Sequence, residues 1–188
     1  MADLLLDPWP QQPYFHGAQS DGSTAYVLPA IAGAQACSFW FQSRFSYGSG
    51  SVSYLMDNRY RAAAEHYAHP TGGTTGYFVS GVNSPYNAEF VSMTAIWRKV
   101  YLAASLEGGF NLLSRCSNNE FYGPHNLAQL RLYNRPWTLA EIANPRGNGP
   151  ADAVLAIYDL ADVSGGILRD VSGNGYHGQV IGNLPTLF

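Results

Sequence analysis

The 188-residue sequence has little charge and no long apolar run. Charged residues make up 12% of the chain, about half of the usual share, and the ten basic residues are scattered. They form no basic patch that would attract nucleic acid or anionic lipid. No stretch approaches the roughly 20 apolar residues of a membrane span. The sequence therefore argues against nucleic acid as a partner and against membrane insertion.

The first residues also lack the features of a secretory signal. "MADLLLDPWPQQP" has no basic n-region, and its apolar run of three leucines is too short for a signal core. From this we expect synthesis in the cytoplasm without a signal peptide. The chain has only two cysteines, Cys37 and Cys116. In a reducing compartment these are expected to be free thiols rather than a disulfide.

Aromatic residues and turn-forming residues are abundant. Aromatic side chains account for 14% of the chain, and there are 20 Gly and 11 Pro. Short runs of alternating apolar and polar residues lie between clusters of Gly, Pro, Asn and Ser, which is typical of antiparallel strands half buried against a core. The sequence predicts an all-β sandwich or barrel. The predicted strands are 25–29, 36–45, 51–56, 74–82, 89–97, 100–106, 110–115, 127–134, 153–160 and 178–183.

Helix is expected to be scarce, in one or two short pieces. Thr138 and Glu141 have the spacing of a capping box, which predicts a short helix over 138–145. The segment 61–70 is predicted to form another helical turn. The proline-rich residues 1–16 are expected to form an extended N-terminal arm, and 17–188 a single domain.

Four segments, taken in order, resemble the laminin-G-like, concanavalin A-like jelly-roll family. "GSTAYVLP" is similar to the family's opening strand, and "CSFWFQSRF" to a following one. "MTAIWRKVYLAASLEGG" is similar to a strand pair that usually ends in a Tyr-Val-Asp-Gly motif. "LAQLRLYNRPWTLAEI" is the most specific, since the family has a strand of this type followed by a helical turn. The resemblance covers about residues 17–143 and implies a jelly-roll sandwich of two antiparallel sheets.

The C-terminal segment 151–188 resembles a sequence that commonly opens such domains. "AVLAIYDLADVSGGILRDVSGNGYHGQVIGN" contains a turn rich in Gly and Asn, which predicts a strand on each side of it. Two interpretations follow. In the favoured one the domain is circularly permuted and the tail closes its own sandwich. In the other the tail completes a neighbouring subunit by strand exchange, which predicts an obligate oligomer.

The acidic residues lack the pattern of the glycoside hydrolases that share this fold. Those enzymes place two or three carboxylates at alternate positions of one strand. In this chain no two acidic residues are separated by a single residue. The prediction is therefore that the chain is not an enzyme, with a catalytic pair assembled from separate strands as the alternative. His66 and His69 could bind a metal, but no third ligand is near them in the sequence. The favoured interpretation is that both are ordinary surface histidines.

Calcium is the expected optional ion, and no cofactor is predicted to be required. Domains that the chain resembles often hold Ca²⁺ with loop carboxylates and carbonyls. Asp170 and Asn174, with Ser172 between them, offer oxygen atoms in one turn. In the alternative, which is favoured, Asp170 makes an Asx-turn and Asn174 adopts a left-handed conformation without an ion. Asp21 and Asp57 are weaker candidates from other loops.

Tyrosines in polar loops are the predicted ligand-binding residues. Sugar rings stack on exposed aromatic faces, whereas Trp40 and Trp97 lie within apolar strands and are predicted to be core residues. Ordinary packing within the loop is the alternative for each tyrosine. The four candidates are Tyr47, Tyr60, Tyr86 and Tyr122.

These features together predict a non-catalytic surface recognition or adhesion module. An adhesive fold without an export signal fits a bacteriophage virion protein, a decoration or tail component displayed on the particle surface. The expected partners are a glycan or another host-surface ligand, other virion proteins and further copies of the chain in a homo-oligomer. The alternative is a purely structural virion protein that makes protein contacts without binding glycan.

Overall fold

The structure, a computed structural model, describes residues 18–19, 24–43, 56–57, 67–68, 76–78, 98–103, 106–112, 125–142 and 148–187. Within these residues the chain is mostly β-strand with very little helix. The strands are β1 (Ala18–Gln19), β2 (Ala25–Leu28), β3 (Ala36–Ser43), β4 (Met56–Asp57), β5 (Tyr67–Ala68), β6 (Gly76–Phe78), β7 (Arg98–Ala103), β8 (Phe110–Leu112), β9 (His125–Tyr133), β10 (Val154–Ser164), β11 (Ile167–Asp170), β12 (Gly178–Ile181) and β13 (Thr186–Leu187). Helix α1 covers Leu139–Ile142, and a 3-10 turn covers Ala151–Ala153.

The strands form one curled antiparallel sheet. Its order is β5-β4-β8-β2-β12-β11-β10-β9-β3-β7-β6, while β1 pairs with both β13 and β9. The tail strands β10 to β12 therefore lie between β2 and β9 of the same chain. Ile181 lies opposite Ala25 at one junction, and Ile157 lies opposite Arg131 at the other.

The main core lies inside the curl of the sheet. Alternating residues of β2, β3, β7 and β10 point inward and meet buried side chains of β8, β9 and β11 there. Burial of this apolar surface is the main stabilising contribution to the fold. Its largest fully buried members include Tyr26 and Leu28 of β2, Phe39 of β3, Phe110 of β8 and Tyr158 of β10.

A second, smaller core lies on the opposite face of β3, β7 and β9. Trp137, which follows β9, stacks on Tyr101 at 4.7 Å between ring centroids and meets Tyr133 edge-on at 5.4 Å. The Trp137 backbone N–H donates to the Tyr101 hydroxyl at 2.8 Å, which fixes the chain as it leaves the sheet. Tyr133 donates its hydroxyl proton to the Asn148 carbonyl at 2.7 Å, and so Ser38 is the donor in the 3.0 Å bond between their hydroxyls.

Most predicted strands have counterparts in the described residues. Strands β2, β3, β7, β8, β9, β10 and β12 overlap predicted ones, β6 coincides with the described part of 74–82, and β4 shares only Met56 with the predicted strand 51–56. The predicted strand 89–97 and the arm 1–16 lie outside the described residues. The turn 170–177 does have a strand on each side, β11 and β12. The division into arm and domain, and strand exchange between subunits, stay predictions.

The helix predictions have different outcomes. The capping box is confirmed, because the Thr138 backbone N–H donates to Glu141 at 2.7 Å and the Glu141 N–H donates to the Thr138 hydroxyl at 3.3 Å. The helical turn predicted over 61–70 is wrong at Tyr67–Ala68, which pair with β4 as strand β5. Ladder pairing with the preceding strand outweighs the local helix preference there. Among the described residues no helix is long and apolar enough to cross a bilayer.

Candidate functional site

The turn between β11 and β12, residues 170–177, is built around the carboxylate of Asp170, and we call it the tail turn. Asp170 is 7% exposed. Its Oδ1 accepts hydrogen bonds from the backbone N–H groups of Ile157 at 3.0 Å and Ser172 at 2.9 Å. Its Oδ2 accepts from the Ser172 hydroxyl at 2.9 Å and from the Tyr176 N–H at 3.0 Å. The carboxylate thus joins both ends of the turn to β10.

These bonds also set the charge state of Asp170. Burial is the largest single influence and opposes ionisation. The backbone N–H groups of Ile157, Ser172 and Tyr176 and the Ser172 hydroxyl together outweigh it, and the pKa of Asp170 lies below its ordinary value. The tail turn therefore holds a buried, ionised carboxylate at neutral pH.

Asn174 supports the turn from outside. Its side-chain amide donates to the Leu155 carbonyl at 2.9 Å, and its backbone N–H donates to the Ser172 hydroxyl oxygen at 3.2 Å. The predicted left-handed conformation of Asn174 is wrong. Gly173 and Gly175 take the positive φ, at 94° and 79°. Glycine has no Cβ to clash in this region, which leaves Asn174 free to use its side chain as a donor.

Two residues that the sequence did not single out complete the site. The Asp170 backbone N–H donates to Nδ1 of His177 at 3.1 Å. A ring nitrogen that accepts a bond carries no proton, and so His177 holds its proton on Nε2 in this arrangement. The buried Tyr158 hydroxyl donates to the Tyr176 carbonyl. No spacing rule would have found the Tyr158 contact, because it depends on where β10 lies relative to the turn.

The geometry bears on the expected calcium site. A carboxylate has about four lone-pair positions, and the Asx-turn and its neighbouring bonds engage Asp170 with four protein donors. Ligation of Ca²⁺ by Asp170 would compete with these bonds. No group of three or more His, Cys, Asp or Glu side chains suited to a metal is present among the residues described. Calcium binding stays a prediction. Asp57 lies in β4, and Asp21 lies outside the described residues.

The predicted ligand-binding tyrosines are not among the residues that the structure describes. Tyr47, Tyr60, Tyr86 and Tyr122 lie outside the described residues, as do His66, His69, Trp97 and Cys116. Trp40 is buried as predicted. Cys37 is a free, fully buried thiol, and desolvation raises its pKa far above the usual range.

Acidic residues elsewhere in the described part also have structural partners. Glu141 binds Arg135 through two bonds of 2.9 and 3.0 Å, and this contact, with the N–H of Thr138, lowers the pKa of Glu141 to about 2. Glu107 accepts the Gly33 N–H at 2.8 Å, and the Asp159 carboxylate accepts the N–H of Ala161 at 3.1 Å. Glu141 holds a helix end and Glu107 a turn, whereas Asp159 bonds within β10, where its register against β11 shifts.

Comparison of the chain with family models, with curated proteins and with solved structures found no match. The function proposed below therefore rests on the residues of this chain and on the resemblance of its segments.

Proposed function

We propose that this chain is a non-catalytic surface recognition or adhesion module with a concanavalin A-like jelly-roll sandwich. It serves as a virion decoration or tail component of a bacteriophage and binds a glycan or another host-surface ligand. The proposal includes a ligand site formed by loop tyrosines and an optional Ca²⁺.

The arrangement of the core supports the sandwich. Two groups of strands, β8-β2-β12 and β9-β3-β7, lie on either side of β11 and β10 in the sheet order. Side chains from both groups, such as Phe110 and Phe39, belong to one continuous core. Two layers that share one buried apolar core are the defining feature of a sandwich.

The main support for a non-catalytic role is that acidic side chains accept hydrogen bonds from the protein itself. Asp170, which lies in the C-terminal segment that resembles the family, accepts four hydrogen bonds. Glu107 and Asp159 accept backbone N–H groups, and Glu141 binds an arginine. A general acid or nucleophile needs a free oxygen directed at a substrate. These side chains serve the scaffold, which supports a role for the loops in recognition.

One observation favours the alternative, a structural virion protein. Several large apolar side chains of the tail are about half exposed, and such residues are common where proteins contact each other. Their exposed fractions are 50% for Ile167, 56% for Val171, 45% for Ile181 and 60% for Leu184.

A glycan array with the purified full-length chain, in calcium and again in chelator, tests the proposal. We expect binding to a defined set of sugars. Alanine at Tyr47, Tyr60, Tyr86 or Tyr122 should remove it, while phenylalanine should retain stacking. Asp162→Asn, on the exposed side of β10, is the matched surface control. Absence of binding in both calcium and chelator would contradict glycan recognition and favour the structural role.

Thermal melting with and without calcium tests the ion separately. A ligand that binds only the folded state raises stability by RT ln(1 + [L]/Kd). A calcium-dependent rise in melting temperature that magnesium does not reproduce would establish the site. An unchanged melting temperature at millimolar calcium would count against it.

A further inference from the structure

Two Asn–Gly pairs occur in the described residues, Asn148–Gly149 and Asn174–Gly175, and both asparagines are exposed. An Asn–Gly pair is prone to attack by the glycine amide nitrogen on the asparagine side chain, because glycine offers the least steric hindrance. From the different packing of the two glycines, we propose that Asn174 is a site of spontaneous deamidation in the folded protein and that Asn148 is protected. This inference is independent of the function proposed above.

The surroundings of Asn174 do not hinder attack by the Gly175 nitrogen. Gly175 is exposed, and no atom lies within 4 Å of the position where a Cβ would stand. Among the bonds of the described residues, none involves the Gly175 amide. The Asn174 side chain is held by one bond, from its amide nitrogen to the Leu155 carbonyl at 2.9 Å. That nitrogen is the leaving group, and its bond to Leu155 is the one tertiary contact that restrains this side chain among the described residues.

The surroundings of Asn148 hold the backbone in place. A Cβ on Gly149 would clash with the Trp137 ring and lie 2.8 Å from the Tyr133 hydroxyl, so the glycine is packed directly against both. The Asn148 carbonyl accepts the Tyr133 hydroxyl bond at 2.7 Å. Ring closure requires the backbone between the two residues to rotate, and this packing resists that rotation.

The chemistry needs only water. The Gly175 amide nitrogen loses its proton and forms a bond to Cγ of Asn174. The bond from Cγ to the side-chain nitrogen breaks, and ammonia leaves with the proton. Water then opens the resulting succinimide at one of its two carbonyls, which yields aspartate or isoaspartate.

The product would loosen the tail turn. A carboxylate at position 174 no longer donates to the Leu155 carbonyl and places a second negative charge in the turn that holds Asp170. Isoaspartate also adds a backbone atom between Ser172 and Tyr176, both of which donate to Asp170. The modification therefore acts on the bonds that join β11 and β12.

The test is peptide mapping by mass spectrometry after incubation of the full-length protein at mildly alkaline pH. One sample stays folded and a second is held in urea. In the folded sample we expect Asn174 to react at least about tenfold faster than Asn148, which corresponds to about 1.4 kcal/mol in activation free energy. In urea the two rates should converge to within about threefold, because the packing is gone.

Three outcomes would overturn the proposal. In the folded sample, Asn148 could react as fast as Asn174, or neither residue could react although both react in urea. The ratio of the two rates could also be the same in the folded and the urea samples. Asn174→Asp and Asn148→Asp test the consequence as matched mimics of the product. We expect the first to lower the melting temperature more than the second. An equal shift would contradict the proposed effect on the tail turn.

Discussion

Replacement of Asp170 by asparagine is the sharpest perturbation of the tail turn. The substitution keeps the shape of the side chain and removes its charge. One oxygen can still accept from the N–H groups of Ile157 and Ser172. The other acceptor becomes an amide nitrogen that faces the N–H of Tyr176, so two donors meet. The Ser172 hydroxyl also loses its acceptor, although it keeps the Leu155 carbonyl at 3.3 Å.

The expected cost follows from the number of bonds affected. A hydrogen bond to a charged group contributes about 1.5–3 kcal/mol, and a buried donor without a partner costs about 1–3 kcal/mol. The Tyr176 N–H loses its bond outright, and the bonds that remain become neutral and weaker. Because such terms are not additive, we expect a total loss of about 2–4 kcal/mol in the free energy of unfolding. For a chain of this size each kcal/mol lowers the melting temperature by about 2–4 °C.

Urea unfolding followed by tyrosine and tryptophan fluorescence measures this loss. Asp162→Asn makes the same chemical change at an exposed position and should alter stability by less than about 0.5 kcal/mol. If Asp170→Asn behaved like this control, the bonds to Asp170 would not stabilise the fold and the reasoning would be refuted.

The same pair of proteins predicts a pH dependence. The folded pKa of Asp170 is lowered, so its ionised form adds stability above the pKa of the unfolded chain, which is about 3.9 for aspartate. That stability is lost as the pH falls through the lower folded pKa. The difference between wild type and Asp170→Asn should be constant above about pH 5 and should shrink below about pH 4. A difference that did not change with pH would contradict a charged Asp170.

Three further outcomes are expected. Gly149→Ala should lower the free energy of unfolding by about 2–4 kcal/mol, because its φ of 75° and the neighbouring indole ring of Trp137 both oppose a Cβ. Gly165→Ala, with a φ of 60° in open space, should lower it by about 1–2 kcal/mol. Equal losses in urea unfolding would exclude an effect of packing. The Glu141 carboxylate should titrate by NMR with a pKa of about 2, and Arg135→Gln should raise that pKa toward the ordinary value; an unchanged titration would show that the ion pair does not cause the shift. Cys37 should resist thiol reagents in the native protein and react after unfolding, with the other cysteine replaced by serine; rapid native labelling would contradict its burial.

Local patterns predicted local structure well in this chain. Strand β2 and the inward side chains of β3 follow from alternation of apolar and polar residues. The helix end at Thr138 follows from a capping box four residues long. The Asx-turn at Asp170 was one of two alternatives that the turn sequence left open, and the bond from Ser172 agrees with it. In each case the interacting groups lie within a few residues of each other.

Contacts between distant segments were not predictable. The donor Ile157 lies thirteen residues before Asp170, and the two meet only because β10 and β11 pair with a shifted register. Gln129 adopts a φ of 52° where β9 changes register against β3, although nothing in its neighbourhood of the sequence marks an irregular strand. The packing of Gly149 against the Trp137 ring is likewise a tertiary contact without a local sequence pattern. Tertiary pairing decides these positions, and a single sequence carries little local signal for them.

The place of the tail strands in the sheet has a consequence for how the chain folds. Strand β2 is synthesised well before β10 to β12 and β9 shortly before them, yet the path between β2 and β9 in the sheet order runs through those later strands. A nascent chain that has completed β9 therefore carries two strand groups with open edges and no central ladder to join them. Closure of so many long-range pairings is slow, and open edges invite association between chains. Folding yield should consequently depend on how soon the tail emerges and on the protein concentration at that moment.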